Sequence, residues 1–140
     1  MIYGAETSTL TSKIEKMLMK WERKILRNIY GPTKENGQWR TKTNEELRTK
    51  YKSQDIVIVI KIRRLEWLGH VIRMNETRVV KIFERKLEGR RGRGRPRLRW
   101  INDVEDDLRE LGVKRWRTKV LDREEWASII REAKAKLKVP

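Results

Sequence analysis

The chain has no cysteine, one histidine and three prolines in 140 residues. Without thiols there is no disulfide framework, no thiolate zinc site and no cysteine nucleophile. A lone imidazole, His70, excludes a histidine metal cluster and disfavours a His-assisted serine;. No metal and no cofactor are expected. Nor is there an apolar run of roughly 18 residues to span a bilayer, or a basic-then-apolar leader at the start. The expectation is an intracellular protein with no membrane partner. Acid is scarce as well: 20 Asp and Glu face 36 Lys and Arg, a formal charge of +16. Such a surplus suits a polyanion and works against compaction.

The positive charge is densest from Arg85 to Arg99, RKLEGRRGRGRPRLR, which holds eight basic residues, one acid, three glycines and a proline. The arginine fork chelates phosphate, and Gly89, Gly92 and Gly94 let backbone N–H groups approach the same oxygens;. The candidate contacts are Arg90, Arg91, Arg93, Arg95, Arg97 and Arg99. The core Arg93-Gly94-Arg95-Pro96 also matches an AT-hook, an extended arginine strip that enters a narrow minor groove;. The plainer alternative is a solvated linker whose charges keep the chain soluble.

The remaining sequence is mostly helical in pattern. Ser12 and Glu15 have capping-box spacing, and Ile14, Leu18, Trp21, Ile25 and Ile29 recur every three or four residues until Gly31-Pro32;. Asn36-Gly37 is the preferred pair for a type I′ turn, so a small hairpin presenting Trp39 is expected between Thr33 and Thr41;. Thr43 and Glu46 repeat the capping box and open a short helix through about Tyr51;. Ile56 to Ile60 is a β-branched run that by itself reads as a strand. Ile60, Trp67, Val71 and Met74 continue it at helical spacing, so one helix from Ile56, capped by Asp55, to about Met74 is expected;. Gly69 inside it marks the close approach of another element. Asn75 to Lys86 reads as a further short helix, with Val79, Ile82 and Phe83 apolar.

After Pro96, an apolar stripe of Trp100, Ile101, Val104, Leu108 and Leu111 is closed by Gly112, with Asp103, Glu105, Asp106, Asp107 and Glu110 assigned outward;. Asp103, Asp106 and Asp107 share a helical face that could hold Mg²⁺, but early-helix acids are explained by the helix dipole and by neighbouring arginines. A turn around Trp116 leads to a last helix, in which Asp122 and Glu125 start it and Trp126, Ile129, Ile130 and Ala133 face inward. The tail from Lys134 is expected to fray. The fold class is mainly α: a small helical bundle with at most one short β-hairpin, split by the Arg/Gly-rich loop. A second basic surface is expected on the long helix. There Arg63, Arg64 and Arg73 would take phosphates beside Trp67 and His70, unless Trp67 is simply core;.

The strings YGAETSTLT (Tyr3 to Thr11), KILRNIYGP (Lys24 to Pro32), IKIRRLEWLGHVIRM (Ile60 to Met74), GRGRPRLRWINDVEDDLRELGV (Gly92 to Val113) and DREEWASIIREAK (Asp122 to Lys134) carry a family likeness. In that order and spacing they resemble the carboxy-terminal region of the endonuclease/reverse transcriptase proteins of non-LTR retrotransposons. The resemblance covers nearly the whole chain. It implies a thumb-like helical subdomain over 1–84, a basic loop over 85–99 and a carboxy-terminal helical subdomain over 100–140, which together hold template RNA and the growing primer duplex. The family's paired catalytic aspartates, in a Tyr-x-Asp-Asp motif, do not occur here, and Glu6-Thr7-Ser8 stands where the family usually has Glu-Thr-Trp. The expectation is a non-catalytic, nuclear binding fragment for RNA, RNA/DNA hybrid or DNA, with no small-molecule substrate. Its alternatives are an AT-hook-like chromatin protein and a non-functional retroelement remnant.

Overall fold

The computed structural model describes residues 4–74 and 99–137. Among these are six α-helices, one 3-10 turn at Ala5–Thr7 and one two-stranded antiparallel hairpin: α1 Ser12–Tyr30, β1 Thr33–Glu35, β2 Gln38–Arg40, α2 Asn44–Tyr51, α3 Ile56–Arg73, α4 Trp100–Glu110, α5 Trp116–Lys119 and α6 Arg123–Lys136. The fold is thus mainly α with a short hairpin. The expected helix over 75–86, the 84/85 boundary and Arg90, Arg91, Arg93, Arg95 and Arg97 lie outside the described residues. The chain forms two compact units, residues 10–59 and residues 1–9 with 60–140. The first four residues of α3 belong to the former and the rest of the helix to the latter.

In the unit spanning 10–59, α1 is capped one residue earlier than its spacing suggests. The Thr11 side chain, not that of Ser12, accepts from the backbone N–H of Ile14. Gly31, at φ 62°, ends the helix in a conformation that favours glycine;. Asn36 and Gly37 both take positive φ, 50° and 83°, as a type I′ turn requires, and pair Thr33 with Arg40, Lys34 with Trp39 and Glu35 with Gln38;. The capping box of α2 is formed in both directions between Thr43 and Glu46. The buried apolar residues of this unit are Leu26, Leu47, Ile56 and Val57.

The apolar recurrence on α1 does not all turn inward. Leu26 is buried, whereas Ile14, Met17, Trp21 and Ile29 are exposed. At 100° per residue those four lie on one side of the helix and Leu26 about a third of a turn away, while Leu18 and Ile25 of the expected stripe are half-buried, so periodicity found the stripe but not its most deeply buried residue;.

In the other unit, Leu65, Leu68, Val104, Leu108, Leu111, Val120, Trp126, Ile129 and Ala133 form one core, joined by half-buried Trp100, Ile101, Trp116 and Ile130. The run Ile56 to Ile60 is helical, as the downstream spacing required. The close approach marked by Gly69 is made by Trp126: a Cβ at Gly69 would stand 2.4 Å from its indole nitrogen. That indole instead passes over the glycine and donates to the Leu65 carbonyl at 3.0 Å. Asp122 caps α6 by accepting from the N–H groups of Glu124 and Glu125. Contrary to the expected fraying, α6 runs on to Lys136, whose ammonium donates to the Leu111 carbonyl.

Candidate nucleic-acid interface

The arginines of α3 fall into three environments. Arg63 is exposed and lies one turn before Trp67, with His70 one turn further along the same face;. Trp67 is half-buried, and its ring centroid is 5.6 Å from that of the exposed His70. Arg73 is half-buried and donates to the Val120 carbonyl at 2.9 Å, tying the end of α3 to the end of α5. Arg64 is 1% exposed.

Arg64 belongs to an internal charge ladder. Its guanidinium reaches Asp103 at 3.3 Å and Asp107 at 3.6 Å, and lies 6.0 Å from the centroid of the Trp100 ring. Lys61 adds 3.0 Å to Asp107 and 3.9 Å to Glu110. One turn separates the cations on α3 and one turn the acids on α4, so the two rows interleave where the helices meet. Asp103 and Asp107 are therefore not on an outward face: Asp107 is buried and Asp103 half-buried. Desolvation raises the Asp107 carboxyl above its ordinary pKa despite Lys61 and Arg64 beside it. Asp106 points elsewhere and pairs with Arg109. Among the described residues, no group of three or more His, Cys, Asp or Glu is placed to hold a metal.

Arg99 stands at the N-cap of α4 with extended backbone, half-buried, and its carbonyl accepts from the N–H groups of Asn102 and Asp103. Next to it, the Trp100 indole donates to the Glu6 carbonyl at 2.6 Å. The exit of the basic segment is thereby fastened to the start of the chain and to the charge ladder.

The structure adds a basic turn that sequence reasoning passed over. Lys114, Arg115 and Arg117 are exposed around Trp116, which packs against the core, and Arg115 holds the left-handed conformation at φ 53°. Arg117 lies over the Trp116 ring at 5.2 Å and pairs with Glu105 at 3.2 Å. The signal was the string Lys114-Arg115-Trp116-Arg117, which alternates cation and aromatic within one turn.

In the unit spanning 10–59, most acids are engaged. Arg40 pairs with Glu35 and, at 2.7 Å, with Glu46; with the Thr43 N–H also donating to it, the Glu46 carboxyl falls to about 2. The buried Lys42 ammonium donates to the Gly31 and Pro32 carbonyls and to the Thr33 hydroxyl. On α1, Glu22 accepts from the Ile56 N–H at 3.1 Å, at the start of α3. Burial, and then the neighbouring Asp55 carboxyl, push Glu22 up to about 7.

Among known proteins, the chain is similar to an uncharacterized transposon-derived protein of Caenorhabditis elegans, 25% identical over 136 residues that cover 92% of this chain. It spans about half, 49%, of that relative's length. No protein-family model and no solved structure matches it. No described helix is long and apolar enough to cross a membrane.

Proposed function

We propose that this chain is a nucleic-acid-binding module from the tail of a non-LTR retrotransposon reverse transcriptase. It grips template RNA or RNA/DNA hybrid by its phosphate backbone, carries out no chemistry itself, and acts in the nucleus. The observation that carries the reading is the charge surplus of +16. It is supported by cations that face solvent, among them Arg63, Lys114 and Arg115. The similarity to a transposon-derived protein over 92% of the chain supports the origin, together with the ordered motifs from Tyr3 to Lys134.

The roles divide by environment. Arg90, Arg91, Arg93, Arg95, Arg97 and Arg99 supply the main grip, and Arg63 adds to it from α3. Arg64 and Arg73 serve chiefly to hold the fold, since one is paired inside it and the other is tied to the Val120 carbonyl.

If about six cations engage phosphates, the logarithm of the association constant falls with that of salt concentration at a slope of roughly −4 to −5.5. Filter binding or fluorescence anisotropy across a salt series measures this slope, and a salt-independent affinity overturns the reading. The motif Arg93-Gly94-Arg95-Pro96 favours a second reading as a duplex-DNA hook. Competition among AT-rich duplex, GC-rich duplex and structured RNA separates the two, since only a hook prefers the narrow AT minor groove. Equal affinity for heparin and every nucleic acid would instead mark a remnant held only by charge.

A further inference from the structure

The two faces of the hairpin have different tasks. Residues opposite one another on antiparallel strands share a face, so Thr33, Glu35, Gln38 and Arg40 lie on one and Lys34 and Trp39 on the other;. The first face is fastened down. Arg40 binds Glu35 and Glu46, and the Lys42 ammonium gathers the Gly31 and Pro32 carbonyls and the Thr33 hydroxyl. The second face carries the largest side chain of the hairpin into water: Trp39 is 68% exposed. Lys34, also exposed, holds its ammonium 5.9 Å from the Trp39 ring centroid and has no carboxylate partner among the described residues.

We propose that Trp39 is a stacking platform for an unpaired base and that Lys34 beside it takes the adjoining phosphate, so that the hairpin binds single-stranded nucleic acid. An indole on a hairpin whose other face is tied down by ion pairs and hydrogen bonds offers a flat apolar face, and every base has a complementary one;. A duplex offers its backbone but keeps its bases stacked inside, so it gains nothing from Trp39. Charge complementarity selects a nucleic-acid strand over an apolar protein surface. Residues 10–59 carry twelve Lys and Arg against six Asp and Glu, and Arg40, the other cation of the hairpin strands, is already neutralised by Glu35 and Glu46. The inference rests on the proposed nucleic-acid function but adds a strand preference and a site apart from the Arg/Gly segment.

The test uses the full chain with fluorescein-labelled oligo(A), an abasic strand of equal length and a duplex, read by anisotropy. Base stacking of roughly 1–3 kcal/mol predicts that Trp39→Ala weakens oligo(A) binding about 5- to 150-fold. Abasic and duplex binding should stay unchanged, Trp39→Phe should retain most of the affinity, and Lys34→Ala should make the salt slope shallower by about 0.7. Thermal melting of each variant shows whether the hairpin mount is kept, and the preference of the wild-type chain for oligo(A) over the abasic strand tests stacking with no substitution at all. Equal wild-type affinity for these two strands, or unaltered oligo(A) binding by Trp39→Ala, overturns the inference while leaving salt-dependent binding intact. An acidic peptide that competes as well as oligo(A) also overturns it. No binding to any nucleic acid overturns both this and the proposed function.

Discussion

A glycine inside a helix usually costs about 1 kcal/mol relative to alanine. At Gly69 the balance reverses, because the Trp126 indole occupies the place of the missing methyl, with its nitrogen 2.4 Å from where a Cβ would stand. Overpacking of about 1–3 kcal/mol or more is expected to exceed the gain in helix propensity. Gly69→Ala should therefore lower the chemical-denaturation midpoint. In a Trp126→Leu background the same substitution should cost much less, because the indole is gone and the flexible end of Arg73, 3.0 Å from that Cβ, is the close neighbour left;. Simple additivity of the two changes would show that Trp126 is not the obstacle. The neighbouring arginines Arg63 and Arg64 should differ as sharply. Arg64→Ala takes a buried guanidinium from half-buried Asp103 and leaves buried Asp107 with Lys61 alone, and is expected to cost about 3 kcal/mol;. Arg63→Ala, on the exposed face, should stay within about 0.5 kcal/mol while weakening nucleic-acid binding;. Urea unfolding and anisotropy on the same pair separate the structural arginine from the binding one.

At the scale of elements, α2 begins on a complete capping box and α3 begins on a carboxyl borrowed from α1. The second arrangement makes the junction of α1 and α3 sensitive to pH. Because the fold holds Glu22 at about 7, above the 4.5 of a free glutamate, its stabilising contribution is full below about pH 4.5 and is lost as pH rises through 7;. Glu46 acts in the opposite sense. Held at about 2, it supports the fold above 4.5 and loses that support as pH falls through 2. Between about pH 5 and 8, then, the melting temperature of the wild-type chain should fall relative to that of Glu22→Gln, which has no carboxyl to ionise. Parallel profiles for the two proteins would refute the assignment. Element boundaries were largely legible in the sequence, since Thr43, Asn36-Gly37, Gly31 and Asp122 are local signals that act within one turn. Which residue of α1 lies deepest was not legible, because its apolar arc is wider than the side that Leu26 buries.

For the molecule as a whole, a charge of +16 on 140 residues sets a repulsion that no single contact offsets;. Added sodium chloride should raise the melting temperature between low and moderate ionic strength, since screening relieves that repulsion more than it weakens buried pairs such as Arg64 with Asp103;. A melting temperature that falls with salt would mean that surface ion pairs outweigh it. The salt that steadies the fold should at the same time weaken its grip on phosphate, so both responses can be followed in one titration.

Local or summed properties were legible in the chain itself: the described helices, the caps at Thr43 and Asp122, the Asn36-Gly37 hairpin, the density of arginine from Arg85 to Arg99 and the net charge. Propensity, turn chemistry and charge need no knowledge of distant neighbours. Which cations lie inside the fold depends on packing between segments far apart in the chain. Arg63 and Arg64 are adjacent in sequence, but a helix turns about 100° between them, and that rotation sends one to water and the other against Asp103 and Asp107, 39 residues and more away along the chain. The same reason explains why Gly69 could be marked as a point of close approach while Trp126 could not be named as what approaches it.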